Sequence, residues 1–175
     1  MANKNMFLEE YSFKGSQCDK VNDLVGLSID SSSDAKLFNS VIELFIFSAL
    51  VGCFYNRKAK PEKDRTRMKK IFTDQFNSHS TELKLVFKFV MLTAKHEALD
   101  DITRLNKTFR NPDTDENYTE FEEYMLGGLE EIHERLIVDS NKNYSDYLTS
   151  VNKLLSDIKL KKVEENIIPN NDDFF

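Results

Sequence analysis

The 175-residue chain contains few of the residues from which several common functional sites are built. Its two cysteines, Cys18 and Cys53, show neither CxxC nor Cys/His ligand spacing, so the sequence indicates no disulfide framework and no zinc site. The chain has five glycines and no GxxxxGK or GxGxxG motif, which leaves little material for a phosphate-binding loop. Free cysteines of this kind are typical of the reducing cytoplasm, and a cytoplasmic location is the prediction.

Catalytic patterns are also missing from the sequence. The three histidines form no HxH or HExxH pattern, and each is predicted to be a solvated or capping side chain: His79, His96 and His133. The pairs Glu122-Glu123 and Glu130-Glu131 recur at eight residues, but no second acidic helix matches them, which favours a solvated helix face. We therefore predict a protein that is not an enzyme, with no catalytic residues, no metal and no cofactor.

A secretory signal and a membrane span are both unexpected. The N-terminus carries Glu9 and Glu10 where a signal peptide has an apolar core. The longest apolar stretch, Leu37 to Tyr55, is interrupted by Glu43, and a charge near the centre of a lone membrane span costs a few kcal/mol. This stretch is apolar on nearly all sides, which predicts a central buried helix that begins just after the acceptors of Ser31 to Asp34.

Helical periodicity continues along the rest of the chain. The alternation of apolar and polar residues that is typical of a strand is indicated only for a short stretch within the first 30 residues. The further predicted helices are residues 62–77, a largely buried helix that begins after Ser80-Thr81 and runs through LKLVFKFVMLTAKHEAL, a short helix capped by Asp100-Asp101, residues 118–139 and residues 144–158. The predicted fold is all-α, a single compact domain of five or six helices. It divides into an N-terminal arm (1–33), a helical domain (34–162) and an acidic C-terminal tail (163–175).

Two adjacent glycines interrupt the apolar pattern of the helix that starts near Tyr118. Gly127 and Gly128 each lower helix stability by about 1 kcal/mol relative to alanine. Such a cost indicates the close approach of another helix or of a partner's backbone. Gly127 and Gly128 are therefore predicted to be protein-docking residues.

Positive charge is concentrated between Arg57 and Lys70, which we call the basic segment. It holds eight basic and two acidic residues, whereas the rest of the chain holds 16 basic and 28 acidic residues. Basic side chains bind the phosphates of nucleic acid or an acidic protein surface, and the alternative is a solvated helix start. The predicted contact residues are Arg57, Lys58, Lys60, Lys63, Arg65, Arg67, Lys69 and Lys70.

Three stretches together resemble a known family: FIFSALVGCFYNRK from Phe45 to Lys58, the LVFKFVMLTAKHEAL helix, and FEEYMLGGLEEI from Phe121 to Ile132. They are similar to the small helical proteins found with bacterial Dnd phosphorothioation systems. In that family an aromatic helix ends in a glycine before a basic residue, and a later helix reads Glu-Glu-Tyr followed by glycine. The matching residues are Gly52, Arg57, Glu122, Glu123, Tyr124 and Gly128. The resemblance covers roughly residues 35 to 137.

This resemblance implies a place in antiphage defence. It implies a non-catalytic accessory or adaptor subunit whose partners are an SMC-like ATPase and nuclease subunits of the same system. Double-stranded DNA as a further partner is predicted from the basic segment and not from the resemblance. More loosely, the chain resembles the small subunit of Lamassu-type defence complexes. An independent DNA-binding regulator is the alternative, and a catalytic defence effector is a third possibility.

The C-terminus shows a second, shorter resemblance. The acidic run from Pro169 to Phe175 is similar to the end of bacterial single-stranded-DNA-binding proteins. That resemblance implies that the acidic residues steer the tail while the terminal aromatic residues fill a partner's pocket. Phe174 and Phe175 are therefore predicted to be protein-docking residues, and the alternative is a frayed tail.

Overall fold

The computed structural model describes residues 7–27, 36–94, 100–138 and 149–158. This part of the chain is mostly helical, with one two-stranded sheet, which confirms the predicted all-α class. The elements are β1 (Tyr11–Lys14), α1 (Ser16–Val25), α2 (Val41–Tyr55), β2 (Met68–Ile71), α3 (Thr73–Ser78), α4 (Ser80–Thr93), α5 (Asp101–Leu105) with a π-helical turn (Asn106–Arg110), α6 (Asp115–His133) with a second π-helical turn (Glu134–Val138), and α7 (149–158).

Helix α2 lies at the centre of the fold, as its apolar circumference predicted. Leu44, Phe45 and Ala49 have no exposed surface. The predicted start after Asp34 is wrong, because α2 begins at Val41 with Ser40 as its N-cap. The Ser40 Oγ accepts the backbone N–H of Glu43 at 3.3 Å, and the Glu43 carboxylate accepts the N–H of Asn39 at 2.8 Å, so the first turn is capped from both sides.

The predicted helix over residues 62–77 is wrong for most of its length. Met68–Ile71 is a strand that pairs antiparallel with Tyr11–Lys14, with Tyr11 opposite Ile71. Only α3 is helical in this range. The spacing of Met68, Ile71, Phe72 and Phe76 predicts one buried helix face. In the structure Met68 and Phe72 are about half exposed, and of these four residues only Ile71 and Phe76 reach the core. Strand β1 lies within the first 30 residues, where the alternation of apolar and polar residues indicates a short strand.

Part of the predicted N-terminal arm belongs to the core. Phe13, Val21 and Leu24 are buried in the same apolar cluster as α2 and α6. The ring of Phe7 lies 5.6 Å from the ring of Phe121, edge to face. The predicted division at residue 33 falls outside the described residues and stays a prediction, as does the tail boundary at residue 163.

The remaining helices follow the predicted order with one difference. α4 begins at Ser80, slightly before the predicted start after Thr81. The Asp100 carboxylate caps α5 by accepting the Thr103 N–H at 2.8 Å, as predicted. The apolar stripe of α6 is buried, also as predicted. In contrast, α4 is not buried around most of its circumference, because Leu85 is 69% exposed and Phe89 is 48% exposed.

The last predicted helix is described in part. Residues 149–158 are helical, whereas residues 139–148 and 159–175 lie outside the described residues. The Arg135 guanidinium, which follows α6, donates to Asp157 at 2.9 Å and holds α7 in place. Within the described ranges, no helix combines the length and the apolar character needed to cross a membrane.

Helices α2 and α6 pack more extensively than any other pair, and two glycines allow it. A Cβ added to Gly128 would lie 1.8 Å from the Ser48 carbonyl oxygen, and one added to Gly52 would lie 1.8 Å from the Tyr124 carbonyl oxygen. The two backbones are therefore in direct contact. Of the two roles predicted for the Gly127-Gly128 pair, close approach of another helix is the one observed within this chain.

Replacing Gly128 with alanine tests this contact. Because the new methyl group meets backbone rather than a flexible side chain, Gly128→Ala should lower the free energy of unfolding by about 1–3 kcal/mol, measured by urea denaturation. Gly26→Ala is the matched control, because its Cβ would lie 3.1 Å from the nearest carbonyl oxygen, that of Asn22. Equal effects of the two substitutions would contradict the close approach.

Candidate interface: the basic segment

The basic segment begins where α2 ends in a left-handed residue. Asn56 adopts φ 51°, and the N–H of Arg57 then donates to the Gly52 carbonyl oxygen at 2.8 Å. The Tyr124 hydroxyl donates to the Asn56 side-chain oxygen at 3.1 Å. The chain therefore leaves α2 in a direction that α6 helps to define.

From Asn56 onward the segment runs along α6 with its backbone in contact. The N–H of Ala59 donates to the Glu123 carbonyl oxygen at 2.9 Å. A Cβ on Gly127 would lie 2.1 Å from the carbonyl oxygen of Arg57. Gly127 and Gly128 thus touch α2 and the basic segment of their own chain, and docking of a partner at these glycines stays a prediction.

Arg57 is enclosed by three glutamates of the α6 end. Its guanidinium binds both carboxylate oxygens of Glu134 at 2.6 Å, and also Glu131 at 2.8 Å and Glu130 at 3.3 Å. The hydrogen bonds from Arg57 lower the pKa of Glu134. Burial of Glu131 by itself raises the pKa of this carboxyl group. The hydrogen bonds from Arg57 and Arg135 outweigh burial, so the pKa of Glu131 is lowered. Arg57 therefore holds the segment to α6.

Three other cations of the segment are also paired. Lys58 binds Glu120 at 2.9 Å and lies 4.5 Å from the centre of the Tyr124 ring. At the far end, Arg67 binds Asp19, and Lys70 binds Glu10 at 2.7 Å. Carboxylates of α6, α1 and the residue before β1 thus neutralise half of the segment's positive charge.

The two acidic residues inside the segment are bound by neighbouring groups. Glu62 accepts the Ser16 N–H at 2.8 Å at the start of α1, and hydrogen bonding by the Ser16 side chain lowers the pKa of Glu62. Asp64 accepts the backbone N–H of Thr66 at 2.9 Å, which lowers the pKa of Asp64. The Gln17 side chain donates to the Lys60 carbonyl oxygen at 2.9 Å. These contacts fix the backbone on both sides of Pro61.

Lys60, Lys63 and Arg65 remain as the exposed cations between these anchors. Neither these three side chains nor the half-buried Lys69 forms an ion pair with any of the described residues. The eight predicted contact residues therefore comprise four that hold the segment through ion pairs and four that form no ion pair with a described residue. The sequence pattern does not identify the glutamates that bind Arg57 and Lys58, although Glu130 and Glu134 share one helix face by their spacing of four.

A groove of about 600 Å³ lies beside the segment, and its walls carry both charges. Arg65 and Lys70 line it together with Glu10 and Glu122. No group of three or more His, Cys, Asp or Glu side chains that could hold a metal ion occurs within the described ranges. His79 contacts the Gln75 carbonyl oxygen and His133 contacts Asp23, whereas His96 lies outside the described residues.

The Arg57 cluster makes stability depend on pH. Because the pKa values of Glu131 and Glu134 are lowered in the folded state, their contribution is complete above the ordinary glutamate value of 4.5 and is lost as the pH falls below it. Arg57→Gln should lower the free energy of unfolding at neutral pH by about 1–2 kcal/mol, and the difference from the parent should shrink below that pH.

Urea denaturation across a pH series measures this effect, and Arg67→Gln is the control because the Arg67–Asp19 pair is far more exposed. We expect Arg67→Gln to change stability little at any pH. The account of the cluster is wrong if the two variants behave alike, or if the Arg57→Gln difference stays constant from neutral to acidic pH.

Among the comparisons with known proteins, the comparison with family models gives a match. The family model for DNA sulphur modification system-associated protein 4 matches residues 19–167. No curated protein and no solved structure matches the chain. The looser resemblance to Lamassu-type small subunits receives no support from these comparisons.

The family match is longer than the three quoted stretches indicated. It begins within α1 and extends beyond α7, so it includes the C-terminal helical region that lay outside the resemblance. It also includes the whole basic segment, α2 and α6. Because the match spans most of the 175 residues, this chain belongs to the DNA sulphur modification system-associated protein 4 family.

Proposed function

We propose that this protein is a non-catalytic accessory subunit of a DNA sulphur modification and defence system, and that Lys60, Lys63 and Arg65 contact the phosphates of duplex DNA. Membership of the family supports the system, since that family is described by its association with DNA sulphur modification. The observation that supports the contact is the arrangement of the basic segment. Its backbone and four of its cations are held internally, and three exposed cations follow one another between those anchors.

An anchored, extended backbone suits contact with phosphates. Exposed lysine and arginine side chains on a fixed backbone bind anions with less loss of conformational freedom than side chains on a mobile loop. Phosphate contacts position a protein on DNA without reading the base sequence. The segment carries no helix between Asn56 and Arg67, so it offers no recognition helix to a major groove, and this disfavours the independent regulator.

The adaptor role extends this proposal to partner proteins. An accessory subunit that contributes few phosphate contacts gains affinity when it is linked to another DNA-binding subunit, because the second binding event becomes intramolecular. An SMC-like ATPase or a nuclease subunit of the same system is the proposed partner. An acidic surface on such a subunit is the competing ligand for the same three cations.

Charge reversal tests the DNA contact. If three phosphates are neutralised, the logarithm of the binding constant should fall with the logarithm of salt concentration at a slope of about −2.7, or about 40-fold between 50 and 200 mM salt. Fluorescence anisotropy with a labelled duplex measures this slope. The variant Lys60→Glu/Lys63→Glu/Arg65→Glu should lose the binding.

The matched control is Lys84→Glu/Lys88→Glu/Lys153→Glu, which makes the same change in net charge at three exposed lysines elsewhere. It should keep most of the affinity. Equal loss in both variants would show a general effect of net charge and would contradict a phosphate site at the basic segment. So would the absence of binding by the parent protein at low salt.

Copurification tests the adaptor role separately. Tagged protein, co-expressed with the other proteins of its system, should retain at least one of them through purification. If none is retained, and if sulphur modification and defence proceed unchanged without this chain, the accessory role is contradicted. Retention that is lost in the Lys60→Glu/Lys63→Glu/Arg65→Glu variant, without any DNA binding by the parent, would assign the three cations to an acidic subunit instead.

A further inference from the structure

Large apolar side chains are exposed on two neighbouring elements, α4 and α5 with its π-helical turn. We call them the apolar patch: Leu85 (69% exposed), Phe89 (48%), Ile102 (73%), Leu105 (51%) and Phe109 (55%). α4 packs against both α5 and the π-helical turn, so the residues share one side of the protein. The Lys88 ammonium lies 5.5 Å from the centre of the Phe109 ring and connects the two elements.

The position of the patch on α4 follows from helix geometry. Leu83, Phe87 and Val90 point into the core, whereas Leu85 and Phe89 lie one turn apart on the opposite face. Nothing among the described residues covers that face. Scattered apolar side chains on a surface are ordinary, but five large ones on adjacent elements are typical of a surface that binds protein.

Three exposed basic residues directly precede or follow patch residues in the sequence. Lys84, Lys88 and Arg110 are exposed, and none of them forms an ion pair with a residue that the structure describes. A segment that fits this surface must combine apolar side chains with carboxylates. A basic or purely polar segment would leave either the apolar groups or the cations without partners.

Residues 163–175 of the same chain have this composition. They contain four acidic residues, Glu164, Glu165, Asp172 and Asp173, and four large apolar residues, Ile167, Ile168, Phe174 and Phe175, without any basic residue. We propose that residues 163–175 bind the apolar patch of their own chain, with the phenylalanines against its apolar side chains and the carboxylates beside its cations. This inference is independent of the proposed DNA contact.

The end of α7 lies close enough for this contact. Asp157 is held 3.4 Å from the Tyr55 hydroxyl at the end of α2, and Cys53 contacts Thr93 in the last turn of α4 at 3.2 Å. The path from Asp157 through these contacts and along α4 to Leu85 is at most on the order of 40 Å. An extended chain from residue 158 to Phe174 spans up to about 53 Å.

Binding within the chain gives the patch a defined occupant. A tethered segment acts at a high effective concentration, so even weak apolar and ionic contacts keep it in place. A partner that uses the patch must then compete with residues 163–175. Phe174 and Phe175, which the sequence predicted to dock on a partner, would in this arrangement first occupy a surface of their own protein.

Site-specific photocrosslinking of the full chain tests the proposal. Phe175 is replaced by p-benzoylphenylalanine, the protein is irradiated at low concentration, and crosslinked peptides are identified by mass spectrometry. We expect crosslinks within single chains to residues 80–93 and 100–110. The double variant Phe89→Asp/Leu105→Asp should lower their yield at least about tenfold, which corresponds to the loss of about 1.4 kcal/mol of contact energy.

The control is Met68→Asp/Phe72→Asp, which changes two similarly exposed side chains away from the patch and should leave the yield unchanged. Asp172→Asn/Asp173→Asn tests the ionic part without changing any residue that the structure describes, and it should also lower the yield. Three results would overturn the proposal: crosslinks mainly to other regions, crosslinks between chains whose yield rises with protein concentration, or no crosslinks to the patch at all.

Discussion

The backbones of α2 and α6 touch, and this contact requires glycine on both helices. Any side chain at Gly52 or Gly128 would overlap a carbonyl oxygen of the other helix. The close crossing brings the end of α2 against the middle of α6, where Gly127 leaves room for the backbone of Arg57. The first residues of the basic segment are therefore placed by the same packing that forms the core.

Ion pairs add to the helix packing that positions the basic segment. An acidic chain that concentrates positive charge in one segment uses half of that charge to attach the segment to its own acidic residues. Arg57 and Lys58 bind glutamates of α6, and Arg67 binds Asp19 of α1. Lys60, Lys63 and Arg65 lie between these anchors without such partners among the described residues, and this difference separates structural cations from candidate contact residues.

Local patterns in the sequence predicted the helices well and the long-range contacts poorly. The apolar circumference of α2 and the stripe of α6 were sufficient to predict a central helix and a buried face. The strand Met68–Ile71 was mistaken for helix because its pairing partner, β1, is more than 50 residues earlier in the chain. Glu130 and Glu131, two of the three glutamates that bind Arg57, are predicted to lie on a solvated face for the same reason, since periodicity identifies a face but not what packs against it.

Amide hydrogen exchange at single-residue resolution tests most directly whether the basic segment is anchored to α6. The segment has no regular secondary structure before Met68, yet the N–H groups of Arg57 and Ala59 donate to Gly52 and Glu123. We predict that these two amides exchange slowly, close to the rate of the α6 core, while the amides of Lys63 and Arg65 exchange rapidly. Rapid exchange at Ala59, equal to that at Lys63, would contradict the anchored segment and the separation of its cations.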